Sequence, residues 1–405
     1  MIAFLQNAIL FVAPLLVVIT AIVTVHELGH FAAGRAFGVA IERFSIGFGR
    51  ALLSWKDRAG VEWRIAWAPL GGYVRFALDE NVASVPDGQD LTEMRARIAA
   101  KEGPGAERKY LPFKPLWQRA IISIAGPAAN FILAVALFSL LLATVGQNVS
   151  PYKVGQVEPG SPAAKAGFLA GDRIISANGR QLPGYYDLKS YLAYRYGVAM
   201  DFAVERNGQT LHLFATPQPV SEPSGFGWNQ TEGILGVLIA RNGNWGFRRL
   251  DPISAIAGGT AETWDVLTTT TFQLSRLVTG QTGLDQLHGV VGMARVSGVI
   301  TKRAIADAPN NAGDQALGVI VSLVSFTALI SVGIGIMNLL PLPILDGGHL
   351  VFYAYEWLAK RPLGARVQAA SYRVGLALLV GLMLFANLHD LPLTRVFHFF
   401  GSLFS

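Results

Sequence analysis

Residues 1–25 contain no charged side chain, and the run ends at two histidines and a glutamate in the stretch VTVHELGHFAAGRAFG, residues 23–38. About twenty consecutive apolar residues suffice for a helix to cross the hydrocarbon core of a bilayer. In lipid every backbone polar group must be satisfied within the protein, which leaves helices or closed barrels as spanning structures. Runs of the same kind follow at 120–146, 317–342 and 374–388, beside the first at 3–25, and the last extends backwards through VQAASYR. A chain of 405 residues that is 52% hydrophobic has room for several spans and a water-soluble domain. The fold class expected is a polytopic α-helical membrane protein with four transmembrane helices. The first run lacks a basic leader and a small-residue cleavage pattern, and is long for a signal sequence, so it is expected to be a retained span.

Lysine and arginine near the span ends set the expected orientation. Arg35, Arg43 and Arg50 follow the first span, and Arg108, Lys109, Lys114 and Arg119 precede the second, so 31–119 is expected on the cytoplasmic side. Lys360, Arg361, Arg366 and Arg373 between the third and fourth runs agree with four crossings and both termini outside the cytoplasm. The long segment 147–316 then lies outside as well; long domains translocate largely regardless of charge. A net charge of +6, with no basic stripe interleaved with aromatics, fits membrane orientation and gives no ground for a nucleic-acid partner. The chain has no cysteine, so disulfides and cysteine-based zinc modules are excluded. Any metal site must draw on His, Asp, Glu or water.

His26 and His30 are four residues apart, which puts both imidazoles on one helical face with Glu27 beside them. This is HExxH, in which two histidines hold Zn²⁺ and the glutamate takes a proton from water. A polar patch at a helix end is the plainer alternative, but ionisable groups at membrane depth are costly without a partner. A third ligand is needed. The stretch MNLLPLPILDGGHL, residues 337–350, offers Asp346. Pro341 and Pro343 forbid a regular helix there and Gly347–Gly348 permits a sharp turn, so the backbone is broken at membrane depth. Such backbone is tolerated where it is buried in protein or lines a wet cavity. A carboxylate placed there can complete a His₂Asp site with an open fourth position. A Pro-Gly turn that merely ends a span is the alternative.

HELGH on a first span, AGPAAN (125–130) on a second and NLLPLPILDGG on a third together resemble the site-2 protease family of intramembrane zinc metalloproteases, and within it the bacterial proteases that regulate sigma-E. The likeness covers nearly the whole chain. It implies that His26, His30 and Asp346 bind zinc, that Glu27 is the general base, that Asn130 lies close to the active site, and that Asn338, Pro341 and Pro343 contact substrate. Amides at 130 and 338 suit an unwound substrate backbone, whose freed groups need partners. GPAAN also reads as a small-residue packing seam. Substrates implied are single-span membrane proteins, such as anti-sigma factors already trimmed by another protease, and remnant signal peptides. The location implied is the bacterial inner membrane.

The organisation expected is a first transmembrane helix with HExxH over 1–36, a membrane-associated β-element over 44–80, a cytoplasmic loop and interfacial segment over 81–117 and a second span over 118–147. A periplasmic PDZ domain (150–217), an amphipathic helical segment (218–316), a third span with its ligand loop (317–350) and a fourth span (367–390) complete it. Residues 44–76 alternate apolar and polar residues around KDRAG, a hairpin pattern. In the family the matching region is a re-entrant β-element that pairs with unwound substrate by strand addition; an ordinary cytoplasmic hairpin is the alternative. GSPAAKAGFLAGDRIISANG resembles bacterial PDZ sequences, which implies either capture of a peptide end or a size filter. Relatives often carry two such domains in tandem, and one is found here. His288, His349, His389 and His398 are expected to be structural or interfacial, with His349 near enough to the ligand loop to support it. The rival functions are a membrane-anchored PDZ scaffold with a structural or inactive metal site and a zinc protease that cuts exposed loops.

Overall fold

The computed structural model describes residues 2–78, 88–148, 153–182, 184–226, 228–240, 246–307 and 311–390. His398 and residues 79–87, where the expected β-element gives way to the cytoplasmic loop, lie outside the described residues. In chain order the elements are α1 (Ile2–Ala36), β1 (Ile41–Lys56), β2 (Glu62–Phe76), α2 (Gly88–Glu102), α3 (Leu116–Thr144), β3 (Gln147–Asn148), β4 (Lys153–Val157), α4 (Pro162–Ala166), β5 (Arg173–Ala177), β6 (Arg180–Gln181) and α5 (Tyr185–Ala193). There follow β7 (Met200–Arg206), β8 (Gln209–Ala215), β9 (Gln218–Pro223), β10 (Asn229–Ile234), β11 (Val237–Ala240), β12 (Phe247–Arg248), α6 (Pro252–Val278), α7 (Val290–Asp307), α8 (Ala312–Asn338), α9 (Asp346–Ala359) and α10 (Ala365–Asp390). Two compact units result, one from 1–138, 262–267 and 287–405, the other from 139–261 and 268–286.

Among the described residues four helices are long and apolar enough to cross a membrane: Leu10–Ala36 of α1, and α3, α8 and α10. In the first unit Leu15, Val18 and Ile22 form a stripe at i, i+3 and i+7 along α1, the spacing of one helical face. They pack with Phe326 of α8 and with Met293 and Ile300 of α7. Polar groups there are tied internally, as a lipid environment requires: Ser297 Oγ donates to the Phe11 carbonyl at 3.0 Å. His288 is paired with a buried carboxylate. Its Nδ1 sits 2.7 Å from Asp390 Oδ1, while Asp390 Oδ2 accepts the N–H groups of Gly289 and Gly292, the latter in the first turn of α7.

β1 and β2 pair antiparallel but double back on themselves. Phe44 faces Val74 on one side and Trp63 on the other, and Trp63 also faces Trp55. Residues 72–76 are therefore an outer strand. Phe31, Phe44 and Val61 form a small core beneath the sheet, whereas Leu52, Trp67 and Leu70 are at least 60% exposed at its far end, an apolar tip of the kind that enters a membrane interface.

Three sequence expectations need correction. Residues 88–102 are the helix α2, not loop: the polar composition conceals Leu91, Met94 and Ile98 at helical spacing among strong helix formers, and Ile98 is buried. The third span ends at Asn338 instead of 342, because Pro341 disfavours helical backbone in the residue before it. The α+β unit does not stop at 217. β11 pairs with β4, and Leu235 belongs to its core with Val154, Phe168, Phe202 and Val204.

In that second unit the sheet order is β6-β5-β7-β8, and β9 and β10 form a separate hairpin. Met200, Phe202 and Val204 alternate inward along β7, the period of a strand with one buried face. Asp172 is buried and accepts Nε and Nη2 of Arg206, each at 2.7 Å, and the N–H of Leu169 at 2.8 Å. Asp251 caps α6 by accepting the N–H groups of Ile253 and Ser254, with Pro252 at the first helical position. The amphipathic helix expected in 218–316 corresponds to α6, whose first part in this unit has Ile253 and Ile256 exposed and Ala255 buried.

Candidate metal centre

Close packing of small residues brings α1 and α3 together. A side chain at Gly29 would overlap the carbonyl of Ala125 and come within 2.8 Å of the Ala129 Cβ. Gly126 faces the two histidines: a Cβ there would overlap His30 Nε2 and stand 2.8 Å from His26 Nε2. The seam read in GPAAN is thus also the wall of the site, and its glycine leaves the room the imidazoles occupy.

The third residue arrives from the broken end of α8. Leu339 N–H bonds back to Gly335 and Ile336, Leu342 N–H to the Leu340 carbonyl and Leu345 N–H to the Leu342 carbonyl, a series of tight turns that brings the chain to α9. Gly347 and Gly348 permit this fold-back, because a Cβ on either would overlap the carbonyls of Leu339 and Leu340 or of Leu342. Asp346 is the first residue of α9, where a helix N-terminus favours a carboxylate.

His26 Nε2 lies 3.1 Å from Asp346 Oδ2, His30 Nε2 lies 3.4 Å from Asp346 Oδ1, and the two Nε2 atoms are 3.2 Å apart. Ligands held about 2.1 Å from a zinc ion at tetrahedral angles lie about 3.4 Å from one another. The three separations fit that figure, and the donor set of two imidazoles and a carboxylate suits zinc. Their lone pairs would repel at this range without a cation or proton among them. His30 Nδ1 sits 2.7 Å from the carbonyl of Ile122. A carbonyl only accepts, so the proton is on Nδ1 and Nε2 is free to ligate.

Glu27 Oε2 accepts the N–H of Val74, on the outer strand 72–76, at 3.1 Å. A cavity of about 320 Å³ runs from His26, Glu27, His30 and Asp346 to Val74, Phe76, Asn338, Leu345, Arg119 and His349. Asn338 therefore lines the same cavity as the two histidines and Glu27. Pro341 and Pro343 are not among the residues that line it, and Pro343 instead packs against the α10 backbone at Gly375. Asn130, expected beside the substrate backbone, is 0% exposed, with Nδ2 3.3 Å from His26 Nδ1. Its own carbonyl accepts the hydroxyl of Ser331 on α8 at 2.8 Å.

In the sequence Arg119 stands only as a basic flank of the second span. It is buried, 2.6 Å from Glu356 of α9 and stacked over Tyr353, so it ties α3 to the helix that carries Asp346. The available signal was a pair of opposite charges at the edges of two apolar segments, 237 residues apart.

The profile of peptidase family M50 matches residues 14–382. The chain is similar to metalloprotease MmpA of Caulobacter vibrioides, with 50% identity over 98% of this chain and 99% of that protein. It is also similar to the regulator of sigma-E protease RseP of Salmonella typhimurium, with 31% identity over 93% of this chain and 97% of that protein. The RseP alignment spans 476 positions, more than this chain has residues, so that relative carries stretches absent here.

Proposed function

Since the chain belongs to peptidase family M50, the site-2 protease family, and is a zinc metalloprotease, we propose that it cuts a peptide bond within or next to the membrane span of single-span proteins. The observation that carries this reading is the convergence of His26 and His30, from the span-length α1, with Asp346, from the turn that follows the span-length α8, beside Glu27 and an outer β-strand. A site built this way meets its substrate at membrane depth, where irregular backbone is tolerated only around a cavity.

In this reading His26, His30 and Asp346 hold the metal. Zinc, when bound, supplies Lewis acidity, which eases proton loss from water and polarises a carbonyl. Glu27 accepts the proton of the attacking water and delivers it to the departing amine. The Ile122 carbonyl fixes the His30 ring. Asn338 and the edge of 72–76 offer hydrogen bonds to an extended substrate backbone, the strand-addition mode that needs no particular sequence. Anti-sigma factors trimmed by a first protease, and remnant signal peptides, are the substrates that the likeness to a regulator of sigma-E suggests. Lysine and arginine placement supports an inner-membrane protein with both termini and 147–316 in the periplasm. The second unit, read as a PDZ domain, either captures a peptide end or excludes bulky substrates.

The test is cleavage of a single-span substrate lacking its external domain by the purified protein in detergent, comparing wild type with Glu27→Gln. A wild-type cut that the variant fails to make supports the reading. Failure of zinc-loaded wild type on several such substrates, with cleavage of exposed loops of membrane proteins instead, would overturn the intramembrane assignment.

A further inference from the structure

The two ends of the Asn130 amide are unequally placed. Nδ2 lies 3.3 Å from His26 Nδ1, whereas Oδ1 is buried with no hydrogen-bond partner. In this orientation Nδ2 donates to Nδ1, which puts the proton of a neutral His26 on Nε2. That nitrogen is the one 3.1 Å from Asp346 Oδ2 and 3.2 Å from His30 Nε2, and a protonated ring nitrogen has no lone pair to give a metal. The two ends of a side-chain amide have nearly the same shape, and the surrounding network decides between them.

Turning the amide over resolves the conflict. Oδ1 then accepts a proton from Nδ1, and Nε2 is left with its lone pair directed at Asp346 and His30. Nothing is lost at the other end, where Oδ1 has no donor. His30 already follows this pattern, with the Ile122 carbonyl opposite its Nδ1. For His26 the group in the same place is the Asn130 side chain. Its position is secured by Ser331, which donates to the Asn130 backbone carbonyl, and by the close approach of α1 and α3 at Gly29.

We infer that Asn130 is a positioning residue that accepts the Nδ1–H of His26 and so presents His26 Nε2 to zinc. Gly126, one turn earlier, clears the space; Asn130 sets the ring. The inference rests on the reading that His26 is a zinc ligand. A metal-bound histidine whose other nitrogen loses its acceptor typically binds about 10–100-fold more weakly.

The experiment is zinc competition against a chromophoric chelator, with the full-length protein in detergent, for wild type and for Asn130→Leu, Asn130→Asp and His26→Ala. Asn130→Leu, close in shape but without an acceptor, should bind zinc about 10–100-fold more weakly. Asn130→Asp keeps an acceptor and should restore affinity to near the wild-type level. A second measurement uses wild type alone: nitrogen-15 histidine spectra of the zinc-loaded protein should show protons on Nδ1 of both His26 and His30. Wild-type affinity in Asn130→Leu, or the absence of an Nδ1 proton on His26, would overturn the inference. If His26→Ala itself keeps zinc at wild-type affinity, the ligand assignment fails instead, and the two failures are distinct.

Discussion

The backbone N–H of Val74 donates to Oε2 of Glu27 across 3.1 Å, although the residues are 47 positions apart. On an outer strand alternate N–H groups point away from the sheet, and that of Val74 is spent on Glu27; proline is tolerated where such a group points outward. Val74→Pro should therefore leave the fold and zinc content unchanged while releasing Glu27. A misplaced base costs part of the 10²–10⁴-fold contribution of general-base catalysis; kcat should fall about tenfold or more, with KM little changed. An unaltered kcat would show that the contact does not position the base.

Asp346→Ala removes one of the three side chains that converge here and leaves the histidines facing each other at 3.2 Å. Zinc retained after gel filtration should drop from near one equivalent to a small fraction. Full retention would remove Asp346 from the ligand set.

Gly126→Ala adds a methyl group where His30 Nε2 now sits. The helices are too closely packed to retreat cheaply, and overpacking of this kind costs about 1–3 kcal/mol. Zinc affinity should fall more than thermal stability does, because the clash is with an imidazole proposed above to hold the metal. Gly29→Ala, which collides with the Ala125 backbone, should show the opposite bias.

In the second unit burial opposes ionisation of Asp172, but Arg206 and the Leu169 N–H outweigh it and hold the carboxyl below the usual range. A depressed folded-state value contributes stability that is complete above the unfolded value near pH 4 and lost as pH falls through the folded one. Thermal unfolding followed downward from pH 6 should thus lose stability below about pH 4, and Asp172→Asn should flatten that part of the curve. Asp172→Ala, which strands a paired arginine, should cost about 3 kcal/mol at neutral pH.

The parts of this molecule written in local patterns were legible. Apolar runs located the four long apolar helices, the second and third to within five residues at either end, although the first run stops at 25 and its helix continues to Ala36; the i, i+4 spacing of His26 and His30 put both rings on one face of α1. Asp346 could be named because two prolines and two glycines mark a broken helix. What could not be read are pairings made across the fold. The contact of Asn130 with His26 links positions 104 apart, and a buried amide looks the same in sequence whether it meets a substrate or an imidazole. α2 is hidden in the sequence because its charged residues outnumber the apolar stripe of Leu91, Met94 and Ile98. The reach of the α+β unit past 217 depends on β11 pairing with β4, a register no local signal encodes.

Under the proposed strand addition, the outer strand 72–76 beside Glu27 has a consequence for which proteins are cut. Its groups are amides and carbonyls, and they discriminate poorly among side chains. A span can offer matching groups only after giving up its own helical bonds, and how readily it does so varies by about 1 kcal/mol per residue between alanine and glycine. Candidates should then rank by local helix propensity. Glycine or asparagine a turn from the scissile bond would quicken cleavage and leucine would slow it, with every residue of the protease unchanged.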